Sequence, residues 1–269
     1  MSLYLDHAFR QPPTTYTCFR ANGIAGIARY YDGGRVPGKG LTLDEARDIA
    51  AANLRLHAVY ETSGGADIPG FAHDGDYFTH SQGWRDWTEA VVDANTARQP
   101  KSTPIFLAVD RHMPAADPRL VAYFRGATEA NSSIGGSGYF IGCYGPDYVC
   151  ELIRDTFGIQ HLWPWLPRPP AYPQFDYTLW QYENGQNMCG VAVDFNDCQI
   201  EGWIAEGENM TDYVTRAEFE AYQQNVRETL EGVDGGATAD LGGIKGILND
   251  LLLRHIRHTH DTSVPRPQL

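Results

Sequence analysis

Two hydrophobic patterns alternate along the chain. Short runs that are apolar at nearly every position are typical of strands covered by helices, and longer stretches with apolar residues at every third or fourth position are typical of amphipathic helices. The short runs predict eight strands, at residues 3–5, 24–31, 54–60, 104–109, 137–144, 161–166, 177–182 and 191–195. The longer stretches predict helices at residues 41–53, 81–98, 118–130 and 147–156.

Alternating strands and helices indicate an α/β fold. Eight such units close a (β/α)8 TIM-like barrel, and an open doubly wound sheet is the alternative. No glycine-rich phosphate-binding motif follows the first predicted strand, which argues against the nucleotide-binding form of the open sheet. Thr42 and Glu45 form a capping box, which supports a helix start at this point.

The composition changes after Trp203, which predicts a barrel domain over residues 1–208 and a short helical C-terminal tail over residues 209–269. Two apolar stripes in the tail are separated by a glycine-rich break. Because helices this short are not stable alone, the tail either docks on the barrel or self-associates. Self-association predicts a homo-oligomer, a trimer, formed through residues 215–260.

Two histidines near the end of the tail are candidate metal ligands. In a three-fold bundle, symmetry copies of His258 and His260 would place up to six imidazoles around a transition metal, and imidazole suits Zn, Fe, Ni or Cu. The alternative is a polar terminus that binds no metal. No other cofactor is predicted.

The net charge and the cysteine content argue against several classes of binding partner and of metal or redox site. A formal net charge of −13 argues against binding to nucleic acid or to anionic lipid. No apolar run approaches the roughly 20 residues of a membrane span, and the first residues do not resemble a signal peptide. The five cysteines lack a CxxC pair, so zinc-ribbon and thioredoxin-like sites are not supported. Two alternatives remain, a pair between Cys189 and Cys198 or unpaired buried thiols.

Four carboxylates close or follow predicted strands, where the loops of a barrel form its open mouth: Asp6, Glu61, Asp110 and Asp194. Acids that converge at one rim raise one another's pKa, so one of them can stay protonated near neutral pH. Cleavage of a glycosidic bond needs such an acid together with an ionised carboxylate. In the structural alternative, each acid caps a loop or pairs with an arginine such as Arg29 or Arg111.

Aromatic and amide side chains accompany these strand ends and can stack on sugar rings or bind hydroxyl groups. The candidate substrate-binding residues are Tyr31, Tyr144, Trp163, Gln181 and Tyr182. Because side chains alternate along a strand, about half of the aromatic residues near the strand ends are expected to face the helices instead.

Six short motifs occur in order along the chain: the strand ending in Asp6, Val59-Tyr60-Glu61, Ala108-Val109-Asp110, Tyr144-Gly145, Trp180-Gln181-Tyr182 and Val193-Asp194-Phe195-Asn196. With them, residues 1 to about 207 resemble the glycoside-hydrolase-like barrels of bacteria and phages, a domain family of unknown function that is similar to the family 25 muramidases. The resemblance implies a barrel with an acidic cleft that is associated with cell-wall glycan. It does not extend over the tail from Asn209 onward.

One departure from the muramidase pattern concerns the catalytic acid. In the muramidases the fourth strand ends in Asp-x-Glu, and that Glu is the acid, whereas this chain has Asp110-Arg111-His112. Glu61 is therefore the predicted general acid, and Asp6, Asp110 and Asp194 carry over as supporting carboxylates. His112 is either a general acid or a loop residue without a catalytic role.

These observations favour an extracellular or virion-associated hydrolase of peptidoglycan or a related glycan, such as a phage lysin or a tail-associated protein. The alternative is a catalytically inactive glycan-binding or structural module of a phage tail or other surface assembly. A metal-dependent amidase ranks last, because the chain has no HExxH motif.

Overall fold

The computed structural model describes residues 2–62, 77–114, 116–133, 136–165, 173 and 175–205. The predicted helical tail, the predicted trimer and the metal ligands His258 and His260 lie outside the described residues. Among the helices that are described, none combines the length and the apolarity that crossing a bilayer would require.

Eight strands close a barrel in chain order, which confirms the predicted fold. The strands are β1 (Ser2–Asp6), β2 (Gly26–Tyr31), β3 (Arg55–Tyr60), β4 (Pro104–Ala108), β5 (Phe140–Pro146), β6 (His161–Trp165), β7 (Leu179–Met188) and β8 (Val191–Cys198). The described helices are α1 (Pro13–Ala21), α2 (Leu43–Ala51), α3 (His80–Thr96), α4 (Pro118–Ser133) and α5 (Asp147–Phe157).

The last strand runs against its neighbours. Strands β1 to β7 pair in parallel, whereas β8 is antiparallel to both β7 and β1. A hairpin therefore joins β7 to β8, and its turn residues Cys189 and Gly190 both have positive φ, as a two-residue turn of this kind requires. Because β8 is reversed, its first half lies at the carboxyl end of β1, where Asp194 is the register partner of Asp6.

Local signals explain most helix boundaries. The Thr42 side chain accepts a hydrogen bond from the backbone N–H of Glu45, so this half of the predicted capping box is present, whereas the Glu45 carboxylate pairs with Arg29. Gly158 adopts the left-handed conformation that ends α5. Helix α1 was not predicted, since it begins at Pro13 without a capping side chain or an acidic residue in its first turn.

Packing is divided between the barrel interior and the layer of helices. The interior is lined by Tyr4, Ala28, Val59, Phe106, Ala108, Tyr144, Trp163, Leu179 and Cys198. Their sequence neighbours on each strand point outward into the larger core beneath the helices. Helices α3 and α4 are in close contact at Gly83, where a Cβ atom would lie 1.8 Å from the carbonyl oxygen of Tyr123. A larger residue at this position would force the two helices apart.

A disulfide joins Cys18 in α1 to Cys189 at the tip of the β7–β8 hairpin, with a Cα–Cα distance of 6.2 Å. Cys143, Cys150 and Cys198 are buried free thiols. The predicted Cys189–Cys198 pair was therefore wrong, and the alternative of unpaired buried thiols holds for these three cysteines but not for Cys18 and Cys189. Cys189 and Cys198 lie at the two ends of β8, which is too long a strand for them to meet.

Candidate functional site

The predicted acids converge at the carboxyl end of the parallel strands. Side chains two residues apart on a strand share a face, and Tyr4, Val59 and Ala108 point into the barrel. The residues two positions further on are Asp6, Glu61 and Asp110. Asp194 joins them from the reversed strand β8, and electrostatic interactions couple these acids to one another. The structure thus brings all four predicted carboxylates together; their catalytic roles stay a prediction.

Asp6 is the most deeply buried of these acids, with 3% of its surface exposed. It accepts hydrogen bonds from the Nδ2 atom of Asn196 at 2.8 Å and from the hydroxyl group of Tyr30 at 3.2 Å. Burial, followed by repulsion from Asp194, raises the pKa of Asp6 to about 8. This carboxyl group is therefore largely protonated at neutral pH.

Glu61 is also buried and lies beside a lysine. The Nζ atom of Lys39 donates to Oε1 of Glu61 at 3.1 Å. Burial raises the pKa of Glu61 to about 7, with a further increase from Asp110 and an opposing decrease from Lys39. A carboxyl group with this pKa can both hold and release a proton near neutral pH.

Asp110 and Asp194 lie closer to solvent. Asp110 is exposed at the rim, and the surrounding protein still removes enough of its hydration to raise its pKa. Asp194 accepts hydrogen bonds from Nε2 of Gln181 at 3.0 Å and from the backbone N–H of Gly185 at 2.6 Å. Partial burial raises the pKa of Asp194, whereas the bond from Gly185 lowers it.

Two amide side chains inside the barrel hold two of the acids by hydrogen bonds. Gln181 accepts a hydrogen bond from the hydroxyl group of Tyr144 at 2.8 Å while it donates to Asp194. Asn196 accepts from the indole N–H of Trp163 at 2.7 Å while it donates to Asp6. These two relays give the buried polar atoms of Tyr144 and Trp163 hydrogen-bond partners.

Three of the predicted substrate-binding aromatic residues do not face the mouth. Tyr31 points outward, is fully buried and donates its hydroxyl hydrogen to Oε1 of Gln99. Tyr182 lies on the outer face of β7, where it packs against Trp180. Trp163 points inward but is 1% exposed. Strand alternation and burial therefore argue against sugar contact by any of the three.

Neither arginine of the structural alternative pairs with the four acids within the described contacts. Arg29 points outward from β2 and pairs with Glu45 at 2.7 Å, and no described ion pair involves Arg111. Among the described residues, the cation beside the acids is Lys39. It was not predicted from the sequence, because it lies in a loop without hydrophobic periodicity. Tyr30, the inward neighbour of Tyr31, was also left out of the predicted site, although strand alternation pointed to it.

His112 occupies the position of the expected muramidase glutamate. It is exposed, and its ring lies edge-on to Trp165 with 5.0 Å between ring centroids. Within the described ranges, no group of three or more His, Cys, Asp or Glu side chains is arranged to hold a metal ion.

Comparison with solved structures supports the fold. The Tat-secreted protein Rv2525c of Mycobacterium tuberculosis matches with a TM-score of 0.59 and 23% identity, over 74% of this chain and 96% of that one. An uncharacterized protein of B. stearothermophilus matches with a TM-score of 0.55 and 20% identity, over 74% and 96% of the two chains. Muramidase and endolysin structures also match, with TM-scores below 0.5, and this weaker likeness carries no argument about activity.

Sequence comparison identifies the family. The chain is 30% identical to the uncharacterized protein FadG of Bacillus subtilis (strain 168) over 111 residues, which are 40% of this chain and 18% of FadG. It thus spans about a fifth of the length of that relative. The family model for the Rv2525c-like, glycoside hydrolase-like domain matches residues 17–236, most of the chain. The protein therefore belongs to the family of Rv2525c-like, glycoside hydrolase-like domains.

Proposed function

We propose that the mouth of this barrel binds and hydrolyses a bacterial cell-wall glycan, with Glu61 as the general acid and Asp6, Asp110 and Asp194 as supporting carboxylates. The observation that carries the proposal is the gathering of four carboxyl groups with raised pKa at one mouth. Perturbed acids grouped in this way are typical of catalytic sites.

The different environments of the acids suit them to different roles, one as proton donor and another as ionised carboxylate. Glu61, with a pKa of about 7, would donate a proton to the glycosidic oxygen as the bond to the anomeric carbon breaks. The positive charge that develops on the sugar needs an ionised carboxylate. Asp110 suits this role better than Asp6. Asp110 is exposed, whereas Asp6, with a pKa of about 8, keeps its proton at neutral pH.

The remaining polar groups would hold this arrangement in place. The described hydrogen bonds already engage the side-chain amide of Gln181, from Tyr144 on one side and toward Asp194 and Asn184 on the other. We therefore propose that Gln181 and Tyr144 orient Asp194 rather than make the main sugar contacts. The half-buried Trp165, beside the exposed His112, offers an aromatic edge at the same mouth.

The disulfide and the family bear on location. A disulfide such as Cys18–Cys189 persists in oxidising compartments, and Rv2525c is described as a Tat-secreted protein. Both support a proposed site of action outside the cytoplasm. A role in a phage particle or as a phage lysin stays a prediction.

The test is the Glu61→Gln variant, assayed for new reducing ends released from purified cell walls. We expect a loss of at least about 100-fold in rate, because general-acid catalysis contributes roughly 10²–10⁴-fold. Glu129→Gln, which alters an exposed glutamate paired with His80 on the helix layer, is the matched control and should keep the wild-type rate. Undiminished release by folded Glu61→Gln protein would contradict the assignment.

A second candidate is glycan binding without cleavage. Two observations favour it: His112 replaces the expected acid, and the described partner of Glu61 is a buried lysine rather than open solvent. Binding to purified walls without any increase in reducing ends would support this second function. It would also exclude the hydrolase.

A further inference from the structure

Lys39 brings a positive charge into the acid cluster. It lies in the loop between β2 and α2, and only 2% of its surface is exposed. Its Nζ atom is 3.1 Å from Oε1 of Glu61 and 4.7 Å from the ring centroid of Tyr30. The ammonium group is thus held between a carboxylate and an aromatic face, both of which attract a cation.

Burying an ammonium group is unfavourable unless nearby groups compensate its charge. The titratable groups around this site come from six strands or the residues directly after them: Asp6 of β1, Tyr30 of β2, Glu61 after β3, Asp110 after β4, Tyr144 of β5 and Asp194 of β8. Four of these are carboxyl groups, which become negatively charged when they ionise. Lys39 lowers the pKa of two of them, Glu61 and Asp110, against the effect of burial.

The backbone at Lys39 is fixed from both sides. Nη2 of Arg29 donates to its carbonyl oxygen at 2.9 Å, and its own N–H donates to the carbonyl oxygen of Val36 at 3.1 Å. Two residues after Lys39, the N–H of Leu41 donates to the carbonyl oxygen of Tyr30 at 2.7 Å. The lysine therefore enters the mouth from a loop segment tied to the barrel wall.

The earlier part of the loop is anchored as well. Asp32 accepts hydrogen bonds from the backbone N–H groups of Gly34 and Val36, at 2.9 and 2.8 Å. Arg35 pairs with Glu89 of α3, at 2.6 Å. These hydrogen bonds and the ion pair hold the loop on both sides of Lys39, and they therefore fix the position of its backbone.

We propose that Lys39 is a positioning residue, whose ammonium group holds the Glu61 carboxyl group toward the acid cluster and keeps that group able to exchange its proton near neutral pH. The role in catalysis rests on the proposed function of Glu61, whereas the electrostatic role does not. Without Lys39, both remaining influences, burial and Asp110, act in the same direction and would keep Glu61 protonated through neutral pH.

The first experiment needs no enzymatic activity. The carboxyl resonance of Glu61 is titrated by NMR in protein carrying ¹³C-labelled glutamate, and Glu61→Gln identifies the signal. In Lys39→Met we expect the midpoint to rise by about 1–3 pH units, the size of shift that a neighbouring opposite charge produces. Lys39→Arg, which keeps the charge, should restore the midpoint to within about half a unit of the wild type.

Lys101→Met is the matched control. Lys101 also lies over an aromatic ring, 3.8 Å from the centroid of Tyr139, and also donates a hydrogen bond, to Asn95. It is on the outer side of the barrel, so its loss should leave the Glu61 midpoint unchanged. A midpoint in Lys39→Met that equals the wild-type value would overturn the proposal, and so would a failure of Lys39→Arg to restore it.

The second experiment separates the two proposals. If the wild type releases reducing ends, the alkaline limb of its pH–rate profile should move to higher pH in Lys39→Met and return in Lys39→Arg. If the wild type releases none while the Glu61 midpoint still shifts, the hydrolase is overturned and the role of Lys39 stands.

A folding defect in Lys39→Met would not end the test. The double variant Lys39→Met/Glu61→Gln removes both members of the pair and should then fold, because glutamine, unlike glutamate, cannot ionise beside the other acids. Recovery of the folded state, measured by circular dichroism, would support the pairing. If the double variant also failed to fold, the lysine would be needed apart from Glu61, and the proposal would be overturned.

Discussion

Two buried ion pairs lie on opposite sides of the barrel wall and differ in the charges that surround them. On the outer side, Arg29 donates to both carboxylate oxygens of Glu45 and to the carbonyl oxygens of His7, Ala8 and Lys39. On the inner side, the Glu61 carboxylate has one described hydrogen bond, from Lys39, and lies near other acids.

The difference teaches how one fold separates structural from reactive charge. The outer pair uses its hydrogen-bonding groups on fixed partners, with Tyr16 also donating to Glu45, so little is left to interact with a ligand. The acid of the inner pair is raised in pKa by its burial and, to a smaller extent, by repulsion from Asp110. Sites that conflict with stability in this way are often functional.

The largest effect should follow from breaking the outer pair. Arg29→Met leaves Glu45 as an uncompensated buried charge, and we expect a loss of about 3–5 kcal/mol in the free energy of unfolding. Urea denaturation measures it. Arg10→Met is the control, because the exposed Arg10–Asp48 pair should contribute no more than about 1 kcal/mol. Equal losses in the two variants would show that burial does not distinguish these pairs.

A smaller, pH-dependent effect should come from Asp6→Asn. The pKa of Asp6 is raised from its ordinary value of about 4 to about 8 in the folded protein, so the unfolded chain releases this proton first and stability falls as the pH rises from about 4 to about 8. Asparagine cannot ionise, so the unfolding free energy of the variant should rise relative to that of the wild type by at least about 1 kcal/mol between pH 5 and pH 9.

Denaturation at both pH values measures this gain. Asparagine can still accept from Asn196 and donate to the Tyr30 hydroxyl group, which limits unrelated losses. Parallel pH profiles for the two proteins would contradict a buried, high-pKa Asp6.

The smallest effect should come from Tyr144→Phe. The change removes the donor to Oε1 of Gln181 and leaves that oxygen buried beside the acids, so we expect a loss of about 1 kcal/mol in unfolding free energy. Urea denaturation checks it, with Tyr139→Phe on the outer layer as the comparison. No loss in Tyr144→Phe would mean that the Gln181 relay does not stabilise the mouth.

The sequence predicted the fold better than the site. Apolar runs and capping residues located all eight strands and four of the five described helices, because burial imposes periodicity on those segments. The reversed direction of β8 could not be predicted, since a buried strand has the same hydrophobic pattern whether it runs parallel or antiparallel to its neighbours. The partner of Cys189 was likewise hidden, because it depends on where the hairpin tip lies in space.

Within the site, strand ends predicted the four acids, but alternation had to be applied to each strand to choose between neighbours. Tyr30 faces the acids and Tyr31 faces the helices, as adjacent strand residues must. Lys39 could not be found by either rule. Its position depends on loop contacts with Arg29 and Val36, which no local sequence pattern encodes.

The reversed strand that closes the barrel also determines when the mouth can assemble. Asp6 and Asp194 are cross-strand neighbours, so their Cβ atoms are about 4.5–5.5 Å apart, yet β1 is the first strand of the barrel and β8 the last. A nascent chain that has not yet emerged beyond β8 therefore lacks this acid pair. Until β8 has joined the ring, the mouth lacks one of its four acids, and Asp6 lacks the neighbour whose repulsion adds to the rise in its pKa.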